Sequence, residues 1–290
     1  MKLCMQCRGA FEDEGWTCPA CGHSPASIDG FLSFAPALAK AGAGMPAGAH
    51  HRLDRLQERS FWFRGRNRLI QDLVLRFFPA VGTLLEVGCG SGFVLAGLRV
   101  VLPAARLVGS EVYVHGLGYA AERVGPPCEL LQMDARSLPY VAEFDVIGAF
   151  DVLEHIEEDE VVLKEIQRAL KPGGGVMLTV PQHPWLWSKA DESACHRRRY
   201  RRHELADKVR RNGFVILRDT SFVSLLLPAL LLQRLMAAQS DDYDPERELA
   251  LPRPIDRLFQ ATLDCERWLI RMGIDLPLGG SRVVVARKAP

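Results

Sequence analysis

Four cysteines fall within the first 21 residues, as Cys4-x-x-Cys7 and Cys18-x-x-Cys21 with ten residues between the pairs. Each pair can fold into a tight knuckle with both thiolates facing one ion, and two knuckles complete a tetrahedral sulfur site. Pro19 stiffens the second knuckle and Gly22 permits the turn that follows it. The segment has almost no apolar core, so bound metal would supply its folding free energy. Two disulfides are the alternative. The remaining cysteines, Cys89, Cys128, Cys195 and Cys265, are scattered like the reduced thiols of a cytosolic chain, which favours structural zinc on Cys4, Cys7, Cys18 and Cys21. Glu12, Asp13 and Glu14 lie between the pairs and suit phosphate contact poorly, so a stabilising cap is the favoured role. His23 is surplus to four sulfurs.

A second set of chemical residues lies at the ends of apolar runs. Glu86 ends Thr83–Val87 just before Gly88-Cys89-Gly90-Ser91-Gly92, and Glu111 ends Leu107–Glu111. Asp134 and Ala135 end a third run from Leu130, while Phe150 and Asp151 follow Phe144–Ala149. Alternating glycines let a backbone approach a ligand closely and turn into a helix, here Phe93–Val101. A phosphate-binding loop has little use for a carboxylate such as Glu86. A cofactor with a cationic end does. Glu111 can accept from two ribose hydroxyls and Asp134 from an adenine amino group.

The elements that must position these acids alternate strand and helix from residue 83, the pattern of a largely parallel sheet covered on both faces. In such sheets ligands sit beyond the carboxyl ends of the strands, so the acids converge on one crevice. The run "LLEVGCGSG", "LVGSE", "LLQMDA", "FDVIGAFDVLEHI" and "LKPGGG" spans residues 83 to 180. It resembles the class I S-adenosylmethionine-dependent methyltransferases in order and spacing. The resemblance implies an α/β, Rossmann-like, seven-stranded sheet and S-adenosylmethionine as cofactor. It places Glu86 near the cofactor's amino group, with Gly88, Cys89, Gly90 and Gly92 along the methionine moiety. Glu111 goes to the ribose, Asp134 and Ala135 to the adenine, and Phe150 and Asp151 to the methyl-transfer end. A nicotinamide cofactor is the competing reading of the glycine loop, but Ser91-Gly92-Phe93 lacks the last glycine of Gly-x-Gly-x-x-Gly.

For the acceptor, transfer needs positioning above all, and a general base only where the nucleophile loses a proton. His155 and His183 are the catalytic candidates, each following a strand at the cofactor end. Glu154, Glu157, Glu158 and Asp159 are expected to form the acidic first turn of the next helix, the alternative being a catalytic divalent ion in this region, which a resemblance to some quinone-type O-methyltransferases implies. "PQHPWLWS" (181 to 188) sets Trp185 and Trp187 as an acceptor-pocket wall. In "CHRRRYRRHE", Arg198 and Tyr200 are candidates for holding an anionic acceptor, the alternative being a solvated helix start. "SFWFRGRNRLI" (60 to 70) reads as a helix that packs on the sheet while its first turn reaches the site.

The expected organisation is a zinc ribbon over 1–34, an Ala/Gly/Pro-rich linker over 35–50, and a methyltransferase domain over 51–290. A helical insertion, 221–280, precedes the last strand. Its run "SFVSLLLPALLLQRLMAAQ" fits a lid helix, a lipid-like substrate or a membrane surface. A net charge of +1 speaks against a nucleic-acid partner. The start of the chain lacks a secretory layout, so a cytoplasmic location with at most peripheral contact with the cytoplasmic membrane is expected. The function expected is methyl transfer to a small-molecule, sugar or lipid-linked acceptor. The rivals are a ribosomal RNA methyltransferase docked by its ribbon and a non-catalytic scaffold on the same fold; the oligomeric state stays open.

Overall fold

The structure is a computed structural model describing residues 1–40, 56–237 and 251–289. Linker residues 41–50 and insertion residues 238–250 lie outside the described residues.

The runs read as strands are strands: β5 (Thr83–Val87), β6 (Arg106–Glu111), β7 (Glu129–Gln132), β8 (Phe144–Phe150), β9 (Leu170–Pro181), β10 (Phe214–Phe222) and β11 (Ser281–Lys288). Strands β7, β6, β5, β8 and β9 are parallel neighbours, and β11 and β10 add antiparallel at the β9 end. The parallel strands are covered on both faces, which is why their sequences are continuous apolar runs rather than alternating ones. One face packs Leu163, Ile166, Leu205 and Val209, and the other packs Leu69, Leu73, Leu95 and Leu117. β7 stops at Gln132, so Asp134 stands in a loop beyond the strand.

The amino-terminal module is joined to this sheet. A short hairpin, β1 (Lys2–Leu3) with β2 (Ala10–Phe11), carries the first knuckle, and a second, β3 (Ala26–Ile28) with β4 (Phe31–Ser33), lies parallel to β7 through β4. The sheet thus has nine strands, seven from the methyltransferase part and two from the front of the chain. Trp16 stacks edge-on with Phe34 and Tyr140, 4.5 and 5.4 Å between ring centres. Counting five strand spacings of about 4.8 Å, the module lies roughly 24 Å from β9 across the sheet.

The insertion contributes α8 (Leu227–Ala237) and α9 (Arg253–Arg271). α9 lies along α2 (Phe61–Phe77). Asp256 accepts from Phe61 N and from Arg64, Arg68 pairs with Asp264, and Arg267 with Asp72. Gly65 permits the close crossing, since a Cβ there would lie 2.7 Å from Leu263 Cδ1. Buried Glu266 accepts from the backbone N–H groups of Ser224 and Leu225 and so ties α9 to the chain leaving β10. Leu258, Trp268 and Met272 remain exposed. Among the described residues no helix is long and apolar enough to cross a membrane.

Candidate functional site

The glycine loop turns from β5 into α3 (Phe93–Val101) through three residues at positive φ. Gly88 has φ +69, and a Cβ there would lie 2.5 Å from Val152 Cγ2, so glycine is what lets the loop and the Val152 side chain pack together. Cys89 is buried, its N–H bonded to Ser110 O, which ties the loop to β6. Glu111 is pinned by the backbone: Gly90 N–H donates to Oε2, and Val112 and Tyr113 N–H donate to Oε1. Lone pairs remain for hydroxyls presented from the crevice. Burial raises its pKa.

Asp134 is placed at the same end, with Ala135 buried behind it, but it already forms a bidentate pair with Arg136. Any further donor to this carboxylate would share it with a guanidinium. Sequence spacing could not show that partner's orientation.

The centre of the site is a buried charge cluster. Arg66 enters from α2, pairs with Asp151, and stacks 4.5 Å over Trp62. Glu86 Oε2 has no hydrogen-bond partner among the described residues, nor has either carboxylate oxygen of Glu154. Burial pushes Glu86 up to about 8, against the pull of Arg66, and pushes Glu154 up to about 8. It brings Arg66 down to about 10. One guanidinium therefore faces three carboxyl groups in a dry setting, which leaves room for a cation. Sequence reading placed the 60–70 helix over the site without singling out Arg66. Its signal was an arginine one turn beyond an aromatic trio, on the face shared with Ile70 and Leu73. Arg66→Met should lower stability by about 3 kcal/mol, because half-buried Asp151 would lose its ion partner and keep only the Thr179 hydroxyl. Chemical denaturation measures this; a loss under 1 kcal/mol would show that the pair is not a structural element.

Strain gathers just after β8, β9 and β10 and at Cys195. Asp151 (φ 57), His183 (φ 64), Cys195 (φ 58) and Val223 (φ 60) all occupy the left-handed region that L-residues avoid. Phe150 is buried beside Asp151, whose Oδ1 accepts from Thr179. His183 stacks on Trp185, ring centres 5.0 Å apart, and its Nε2 is buried without a partner among the described residues. Burial, with nearby arginines, keeps its ring neutral by lowering its pKa. Trp185 and Trp187 are 57 % and 40 % exposed, large apolar rings free to touch a ligand.

Three expectations change. Tyr200 is fully buried and its hydroxyl donates to Asp159 at 2.7 Å, so it braces the scaffold and cannot reach an acceptor. Arg198 donates to Glu157 O and lies 3.5 Å from Asp159, which anchors it beside the helix start. Glu154 is not part of an acidic first helical turn; it sits wholly buried in the short 3-10 turn Leu153–His155, and the next helix, α5 (Asp159–Ala169), begins only at Asp159. His155 lies in that turn too, its ring edge-on to His196 at 4.8 Å, and burial holds it down to about 4.

At the amino terminus the knuckles repeat each other. Arg8 N and Gly22 N donate to Cys4 O and Cys18 O, and Arg8 and Gly22 both take positive φ just after the second cysteine of each pair. The Sγ atoms of Cys4 and Cys21 are 3.6 Å apart, those of Cys7 and Cys18 3.7 Å. A tetrahedron with Zn–S bonds of about 2.3 Å has edges of about 3.8 Å. The four thiols fit a zinc ion, and His23 contributes only its carbonyl, to Cys18 N.

A family model described as a methyltransferase domain matches residues 62–218. The trans-aconitate 2-methyltransferase of Azoarcus sp. is 31 % identical over 119 residues, 41 % of this chain and 47 % of that protein. The ubiquinone/menaquinone biosynthesis C-methyltransferase of Syntrophotalea carbinolica is 30 % identical over 142 residues, 46 % of this chain and 58 % of that protein. The matched region spans about half the length of these curated relatives. Among solved structures, phosphoethanolamine N-methyltransferase 2 of Haemonchus contortus, in complex with S-adenosyl-L-methionine, superposes with a TM-score of 0.57 at 18 % identity. It covers 90 % of this chain and 61 % of that one, a likeness of fold.

Proposed function

Because the chain belongs to the class I S-adenosylmethionine-dependent methyltransferases, we propose that it methylates a small-molecule, sugar or lipid-linked acceptor held against Trp185 and Trp187. The observation that carries this reading is that two buried groups at the carboxyl end of the sheet lack partners among the described residues, Glu86 Oε2 and His183 Nε2. One end suits a cationic cofactor and the other a hydrogen-bonding acceptor.

S-adenosylmethionine, when bound, supplies an electrophilic sulfonium methyl. The residues present fit it: Gly90 leaves open space beside the loop, Glu111 keeps lone pairs for ribose hydroxyls, and Glu86 offers an unpartnered Oε2 to an ammonium. Arg66 and Asp151, locked to each other, hold the wall between cofactor and acceptor. Trp185 and Trp187 exclude water and orient the acceptor, and most of the rate gain comes from that positioning. His183, neutral and aimed inward, can accept a proton from an acceptor hydroxyl or amine.

Glu86 also sets a pH dependence. Its pKa of about 8 in the ligand-free chain must fall when a cation arrives beside it. Binding below that pH therefore releases a proton, and affinity should rise with pH, up to about tenfold per unit, until it levels near pH 8. Calorimetry at pH 6.5 in buffers of differing ionisation enthalpy measures the proton. Affinity flat across this range, or proton uptake, would count against the role of Glu86. Failure of the wild-type chain to bind the cofactor at all would sink methyl transfer and favour the scaffold reading.

The ribosomal RNA alternative needs a positive surface joining ribbon to crevice. The ribbon lies at the opposite sheet edge from His183. Its Lys2 ammonium is bound to the carbonyls of Asp13, Glu14 and Gly15. Exposed Leu258, Trp268 and Met272 on α9 are compatible with a lipid-linked acceptor and peripheral contact with a membrane.

A further inference from the structure

Behind Asp151, three side chains turn one atom each toward a common point. Glu154, His155 and His196 bring a carboxylate oxygen and two ring nitrogens within 4.8 Å of one another, with Glu154 Oε1 and His196 Nε2 at 3.9 Å. Glu154 is fully buried and neither of its oxygens has a hydrogen-bond partner among the described residues. A carboxyl group left so in a dry interior costs several kcal/mol unless something binds it.

The far nitrogen of the His196 imidazole is already held. His196 Nδ1 lies 2.9 Å from Asp191 Oδ1, and Asp191 is itself fully buried. Asp191 is fixed in turn by Arg199 Nε at 2.7 Å and by the Ser188 backbone N–H at 2.9 Å. That leaves His196 Nε2 on the side facing Glu154. A carboxylate behind an imidazole, orienting it and raising its basicity, is the arrangement that surrounds histidines bound to metals. The two guanidinium groups nearest Glu154 are committed elsewhere, Arg199 to Asp191 and Arg66 to Asp151.

We propose that Glu154, His155 and His196 bind one divalent first-row transition ion, zinc by preference, with Asp191 as the positioning residue behind His196. Two imidazoles and one carboxylate suit zinc, iron or manganese and leave a coordination position open for an outside ligand. Ligand atoms around zinc lie about 3.4 Å apart at bond lengths of about 2.1 Å, so a pair at the 4.8 Å limit must draw in by about 1.4 Å when the ion binds. This site is separate from the four-cysteine site in ligands and position. Occupancy of the ion does not depend on the methyl-transfer reading. Use of the open position by an oxygen of the acceptor does rest on that reading.

The test is metal content of the full chain, stripped with a chelator, reloaded with zinc and desalted. About two ions per chain are expected for wild type, and about one each for His196→Ala and for Cys18→Ser. Asp191→Asn should weaken the second ion about 10- to 100-fold without removing its ligands. Wild type retaining only about one ion, or His196→Ala retaining two, overturns the proposal. Should the variants misfold, cobalt loading of the wild-type chain decides the matter. The ribbon ion shows thiolate charge-transfer absorption, and the second must show ligand-field bands with none. A cobalt spectrum with only thiolate-bound metal rejects the site.

Discussion

Glu111→Ala should weaken S-adenosylmethionine binding by about 100-fold or more. Hydrogen bonds to a charged group contribute roughly 1.5–3 kcal/mol each, and two ribose hydroxyls are available to one carboxylate. The loss goes beyond those two bonds. The Glu111 side chain now satisfies Gly90, Val112 and Tyr113 N–H, so its removal also loosens the glycine loop and the turn after β6. Glu111→Gln keeps part of that scaffold and loses the charge, and should fall between alanine and wild type. Asp134→Ala should cost less, since Asp134 divides its oxygens between the site and Arg136. Calorimetry on the three variants, with melting curves to confirm folding, gives the ranking. A Glu111→Ala affinity within threefold of wild type would remove Glu111 from the cofactor site.

Cys18→Ser should unfold the amino-terminal module, and the effect should travel. Structural zinc contributes roughly 10–16 kcal/mol of apparent binding free energy in small four-ligand modules, far more than the three-residue cluster of Cys4, Phe11 and Cys18 can provide by burial. Once the knuckles open, the β3–β4 hairpin loses its support, and with it the edge of the main sheet. Gln132 is the relay. Its Oε1 accepts from Ser33 Oγ and Ala35 N, and its Nε2 donates to Ala35 O and to Val112 O, next to Glu111. Loss of zinc should therefore also reduce cofactor affinity, by several-fold, through a backbone that no longer holds Glu111 in place. Proteolysis of the first 34 residues and calorimetry on the zinc-free chain read the two effects. An intact module after chelation would overturn the structural role of the metal.

Much of this molecule was legible from residue order. Period and composition identified the seven methyltransferase strands of the main sheet, because each is a short apolar run, several of them closed by glycine or an acid. The zinc ligands were legible because a knuckle is local: four residues contain the whole geometry. Glu86, Gly88 and Glu111 were legible for a similar reason, since strand, turn and helix occur in succession and need no distant partner.

What folding alone decided concerns partners far apart in sequence. Tyr200 and Arg198 read as anion receptors until Asp159, about 40 residues earlier, was seen to hold them. Arg66 became a central group only when α2 crossed the sheet and met Asp151. The ribbon read as a separate bead, yet β4 pairs with β7, a contact spanning about 99 positions through Ser33 and Gln132. The Glu154, His155 and His196 cluster is assembled by two turns that no local periodicity relates. Hydrophobic spacing and turn chemistry act over a few residues and so are written along the chain. Desolvation and ion pairing act through space, and only the packed sheet determines which charge ends up beside which.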